Sequence, residues 1–79
     1  MAQWKTEVSE VTLAQRKAFG LAVRGRRRAK QLTQDTLAAL CNVDRKTISR
    51  METGSYAPTL DTVYAVASAL GVTVGSLAD

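Results

Sequence analysis

Five times along this chain an apolar residue precedes a Ser, Thr or Asp, and a second apolar residue follows after three intervening positions. The instances are Val8-Ser9 with Leu13, Leu32-Thr33 with Leu37, Val43-Asp44 with Ile48, Pro58-Thr59 with Val63, and Val72-Thr73 with Leu77. Each reads as a helix start. The short polar side chain accepts from an orphan backbone N–H of the first turn, worth about 1 kcal/mol, while the apolar pair clips across it as a staple. One copy would be commonplace; five within 79 residues, each opening a helix-compatible run, point to an all-α fold. The expected helices are 10–30, 34–41, 45–53, 60–70 and 74 to the end. Period-two alternation is absent, and the one Pro stands just before a helix start, where it interrupts nothing. Gly71 after Leu70 supplies a left-handed stop. Leu60, Val63, Val66, Ala67 and Leu70 fall at helical spacing and predict one buried stripe. Phe19, Val23 and Tyr64 are also core by spacing. Gly20 and Gly25 cost the first helix about 1 kcal/mol each, which predicts a late start or a bend.

A single domain of this size buries only roughly 60% of its unfolded surface, leaving no spare core for a deep catalytic cavity. With no His and one Cys, most metal-ligand sets and acid/base or nucleophile relays lack their parts. No enzyme, metal, cofactor or small-molecule ligand is therefore expected. Asp35, Asp44, Glu52 and Asp61 read better as helix starts or ion-pair partners than as paired carboxylates. Cys41 reads as a small core residue. A lone thiol forms no intrachain disulfide, which fits a reducing, cytoplasmic setting. No apolar run approaches the ~18 residues of a spanning helix, and the first fifteen residues lack a signal peptide's pattern, so no membrane partner is expected.

Charge is unevenly placed. Ten basic residues face three acids between Arg16 and Glu52, a local balance of +7, whereas no Lys or Arg occurs after Thr53. One part of the molecule is built to meet an anion. Within it, Thr33 to Glu52 holds two short helices with a tight join. Leu37, Ala38 and Cys41 form the inner face of the first, and Ala38 is small enough to allow a close crossing. Asn42 stands where the chain turns sharply, and Asn tolerates positive φ. Val43 plugs the turn and Asp44 caps the second helix. On that helix Thr47, Ile48, Met51 and Glu52 share one side, and Arg45, Lys46, Ser49 and Arg50 share the other. Such a helix has the size and charge to lie in the major groove of duplex DNA, where Arg and Lys donate to guanine O6 and N7.

Residues 19 to 77 resemble the helix-turn-helix domain of the Cro and phage-repressor family. The resemblance is carried by Phe19-Gly20 and Val23-Arg24, Leu32-Thr33-Gln34 with Leu37-Ala38, Thr47-Ile48-Ser49-Arg50 with Glu52 and Gly54, then Pro58-Thr59-Leu60 and Ala69-Leu70-Gly71-Val72. It implies a five-helix, lambda-repressor-like DNA-binding domain over residues 12–79 behind an extension over 1–11. It further implies a bacterial, phage or plasmid transcriptional regulator, most simply a homodimeric repressor reading a near-palindromic operator. Arg45, Lys46 and Arg50 would reach base edges, with Asp44 and Ser49 as secondary readers. Gln34 would hold a phosphate and brace the recognition helix, with Thr33, Thr47, Arg24 and Tyr56 as further phosphate contacts. Arg27 would pair with Glu52, tying the first helix to the third. Val72, Val74 and Leu77 are the expected dimer contacts, because apolar residues there exceed what a short fifth helix hides.

The sequence departs from the family pattern in three places. Gln31 stands where many relatives have Gly, so the first helix either ends in a strained turn or runs on. Arg26 replaces a frequently apolar residue and would snorkel to water. The loop from Gly54 to Thr59 has no cation, so any grip on phosphate there must come from N–H groups, Ser55, Tyr56 or Thr59. Trp4 precedes the resemblance: a dimer contact, a cap over the core and a disordered tail are all open, ahead of an arm into DNA through Gln3 and Lys5.

Two other classes compete. An interaction module of the same fold, such as an antitoxin or co-regulator, predicts indifference when Arg45, Lys46 and Arg50 become Ala. A membrane-surface or RNA-binding helix centred on Arg24 to Lys30 lacks both a wide apolar face and stacking aromatics.

Overall fold

In the computed structural model, which describes residues 9–78, the chain forms α1 (Glu10–Ala29), α2 (Gln34–Cys41), α3 (Arg45–Glu52), α4 (Leu60–Leu70) and α5 (Val74–Ala78). No strand occurs among the described residues. Four of the five expected caps are made. Ser9, Thr33 and Thr59 accept from the N–H groups of Thr12, Thr36 and Thr62 at 3.1, 3.0 and 3.2 Å, and Thr73 accepts from Ser76 at 3.1 Å. Asp44 is the exception: it sits at the N-cap of α3 but its side chain makes no capping bond. The N–H of Thr47, which its carboxylate would take, donates instead to the Asp44 main-chain carbonyl at 3.0 Å. The boundary expected after residue 11 falls inside α1, and Trp4 lies outside the described residues.

The helices close around Val23, Leu37, Ala38, Cys41, Ile48, Met51, Val66, Ala67, Leu70 and Leu77. α1 packs on α3 and α5, and α2 packs on α3 and α4. Burial pushes the Cys41 thiol above its ordinary pKa, as expected for a small core residue shielded from water. Asn42 turns the chain between α2 and α3 at φ 56°, and the N–H of Val43 closes back on the Ala38 carbonyl at 3.0 Å.

α1 runs unbroken through both of its glycines. Gly20 is required by a close crossing: a Cβ there would lie 2.2 Å from the Met51 carbonyl oxygen and 2.7 Å from that of Glu52. Gly25 has no such neighbour. α1 then ends in a strained turn, with Gln31 at φ 58°.

Three expected core or surface positions are corrected. Leu60 is 64% exposed and Tyr64 58% exposed, because burial on α4 centres on Val66, Ala67 and Leu70. At about 100° per residue Tyr64 stands roughly a third of a turn from that stripe, and Leu60 precedes it in the first turn. Leu77, expected at a dimer contact, is only 1% exposed and is spent on the chain's own core. Val72 and Val74 pack partly buried against the same core.

Candidate nucleic-acid interface

α3 meets the core through Ile48 and Met51, both fully covered, and through Glu52. The opposite side carries Arg45, Lys46 and Arg50, all exposed, with Ser49 half-buried beside them and Asp44 exposed at the N-cap. Thr47 is half-buried at the first turn. The short helix thus offers cations outward because its apolar residues are held inward.

Beneath α3 lies a polar hub. Glu52 is buried and accepts two bonds from Arg27, from Nε at 2.6 Å to Oε2 and from Nη2 at 3.0 Å to Oε1. Arg27 Nη1 donates to the Leu32 carbonyl at 2.8 Å, and Gln34 Nε2 donates to Glu52 Oε1 at 3.1 Å. One carboxylate therefore links the end of α1, the start of α2 and the end of α3. Its hydrogen bond holds the Arg27 pKa above the ordinary guanidinium value, against the opposing effect of burial. Burying two charges is repaid only where their remaining hydrogen-bonding groups are also satisfied, and no buried side-chain polar atom among the described residues lacks a partner. Gln34, half-buried at the start of α2, is thereby attached directly to the helix that carries the outer cations.

By sequence the next residue, Asp35, reads only as part of a helix start. Its Oδ1 lies 3.6 Å from Arg45 Nε, with both side chains largely exposed. Asp35 and Arg45 lie on separate helices, so no periodic spacing announces the contact. It lowers the positive charge at one end of the outer face.

The remaining candidates are dispersed. Arg24 is exposed on α1, and Thr33 is exposed at the α2 N-cap, where its hydroxyl oxygen is already used for capping. After α3, the N–H groups of Thr53, Gly54 and Ser55 are spent on the carbonyls of Ser49, Met51 and Arg50. The Ser55 hydroxyl also donates to the Arg50 carbonyl, at 3.3 Å, and Thr59 caps α4. Tyr56 is half-buried in this loop, packed against the core. Arg26 is exposed, as a snorkelling side chain would be. No group of three His, Cys, Asp or Glu among the described residues could hold a metal, and no described helix is long and apolar enough to cross a membrane.

Residues 23–77 match the helix-turn-helix family profile HTH_3. The structure is similar to the restriction-modification controller protein C.AhdI from Aeromonas hydrophila, with TM-score 0.78 and 34% identity, over 81% of this chain and 97% of that one. It is similar to the clp gene regulator ClgR from Corynebacterium glutamicum, with TM-score 0.76 and 31% identity, over 78% of this chain and 66% of that one. A hypothetical transcription factor, NHTF from Neisseria, aligns with TM-score 0.79 and 26% identity, over 98% of this chain and 87% of that one. No curated protein matches the sequence.

Proposed function

The chain belongs to the helix-turn-helix family of DNA-binding transcription regulators, and from that premise we propose that it reads a near-palindromic operator as a homodimer and acts as a repressor. The observation that carries this reading is the outer face of α3, where Arg45, Lys46 and Arg50 stand exposed over a buried brace. In the major groove these three side chains donate to base edges, with Ser49 and Asp44 as secondary readers. Gln34 holds a phosphate at the α2 N-terminus, and Arg24, Thr33, Thr47 and Tyr56 supply further backbone contacts. Phosphate contacts fix register, and base contacts confer sequence preference. The likeness to a restriction-modification controller protein supports a role in gene control.

One short helix reads few base pairs, so two copies about 34 Å apart are needed for a useful site. The dimer contact uses α4, where Leu60 and Tyr64 stand exposed four residues apart and so share one side of the helix. Val72 and Val74 supplement them.

Selection of bound duplexes from a random library at physiological salt tests the reading. The expected product is an enriched motif with two-fold symmetry and half-sites one helical turn apart. Recovery of unenriched sequence, with affinity explained wholly by the salt slope, would reduce the protein to a charge binder.

A further inference from the structure

The first residues of the loop after α3 have no donor left for an anion. The N–H groups of Thr53, Gly54 and Ser55 are bonded to carbonyls of α3, and the Thr53 and Ser55 hydroxyls both donate to the Arg50 carbonyl, at 3.1 and 3.3 Å. No cation occurs from Gly54 to Thr59. Packing brings one from α1. A Cβ at Gly54, whose φ is 77°, would lie 2.6 Å from Lys17 Cγ and 2.9 Å from Lys17 Cα, so the loop rests directly on the stem of that lysine. We propose that Lys17 holds a DNA phosphate beside the C-terminal end of α3, supplying from α1 the cation that the loop itself lacks. In this role Lys17 presupposes the duplex-reading face described above and adds a grip on the strand that runs past its far end.

Lys17 is exposed, and with its stem held against Gly54 the ammonium reaches solvent beside the loop. The ion pairs among the described residues, Arg27 with Glu52 and Arg45 with Asp35, leave it out. Glu52 is turned inward on Arg27, and no acid occurs between Glu52 and Asp61, so the loop offers nothing to oppose an anion. The loop is also fixed to the reading helix, because the Ser55 N–H donates at 3.0 Å to the carbonyl of Arg50, one of the outer cations. A charge anchored on this loop is therefore held in register with α3. Arg24, also exposed, stands seven residues further along α1, about 10 Å away on nearly the same face. Gly20, where α1 crosses the end of α3, lies between the two. The major groove is about 12 Å wide with a strand along either wall, and Gln34 and Thr33 at the start of α2 leave the wall beside the end of α3 to another residue. Lys30, by contrast, is committed elsewhere: its Nζ lies 3.5 Å from where a Cβ at Gly71 would be, at the C-terminal end of α4, where a cation is favoured.

The test compares Lys17→Gln with Lys30→Gln, which remove the same charge from the full chain, on the selected operator and on a random-sequence duplex across a range of salt. Lys17→Gln is expected to weaken both duplexes by the same several-fold factor and to flatten the salt slope by about 0.9 per bound protomer. Preference at each base position and the melting midpoint should stay as they are, and Lys17→Arg should restore the slope. Lys30→Gln should leave the slope in place. Equal effects of the two Gln variants would overturn the assignment, since only net charge would then matter. So would an unchanged slope with Lys17→Gln, or a changed base preference, which would make Lys17 a reader of bases. Failure of operator reading itself looks different: the unsubstituted protein would then bind both duplexes alike, and the random duplex alone would still decide whether Lys17 holds a phosphate.

Discussion

Gln31 holds the turn after α1 at φ 58°, a conformation in which a side-chain-bearing residue is about 1–2 kcal/mol less comfortable than Gly. The turn persists because its two flanks are tied: the Leu32 N–H donates to the Arg27 carbonyl at 3.0 Å, and Arg27 Nη1 returns a bond to the Leu32 carbonyl. Gln31→Gly should therefore raise stability by up to about 1 kcal/mol after the added freedom of the unfolded chain is discounted. A urea midpoint that falls would contradict this. At Arg27 and Glu52 the expectation is reversed, since removing either partner alone strands a buried charge at a cost of about 3–5 kcal/mol. The double variant should recover part of that loss, and strict additivity in urea unfolding would count against coupling. Because Arg27's folded pKa is raised above the ordinary guanidinium value, its contribution is complete at every pH below that ordinary value and disappears only as pH climbs through the raised one. The guanidinium thus stays charged wherever duplex DNA is intact. Asp35 shields Arg45 at the surface, where exposed pairs are worth less than about 1 kcal/mol. Asp35→Asn should tighten binding to any duplex slightly, an effect that shrinks with salt; weakened binding would show that the carboxylate aids recognition.

Among the elements, α1 separates two uses of glycine that look alike in the sequence. Gly20 touches the α3 main chain closely enough that a Cβ would collide with backbone rather than with a movable side chain. Gly20→Ala should cost at least about 3 kcal/mol, the upper range for overpacking. Gly25 faces open space, so Gly25→Ala should stabilise by about 1 kcal/mol through helix propensity alone. Thermal melts of the two variants decide both, and equal effects would refute the distinction. The same contrast explains how much of the fold is legible in the sequence. Helix starts are readable because cap and staple lie within a few residues of each other. The left-handed turn at Asn42 and the stop at Gly71 are readable for the same local reason. Burial is less so: Leu60 and Tyr64 carry helical spacing but no neighbour arrives to cover them, and Leu77 is covered by elements distant in sequence. The Asp35 to Arg45 contact and the Gly20 crossing are likewise products of packing.

For the whole molecule, the division of charge becomes a division of labour. From residue 9 to 78 every Lys and Arg belongs to α1, its C-cap Lys30, or α3, leaving α4 and α5 without a cation to oppose the approach of a second copy. Tyr64→Lys should shift sedimentation from dimer toward monomer while leaving the fold intact, and with it abolish the advantage of a two-half-site duplex over a single half-site. An unchanged sedimentation profile would move the contact elsewhere. Operator reading as proposed depends most on α3 presenting its cations to base edges through a face held rigid from below. The direct measurement is the affinity of Arg50→Ala and Gln34→Ala for the selected operator and for each of its single-base variants at fixed salt. Arg50→Ala should lose about 1–3 kcal/mol on the operator and flatten preference at particular positions, whereas Gln34→Ala should weaken all sequences alike. Uniform loss from both variants, or none from Arg50→Ala, would contradict it.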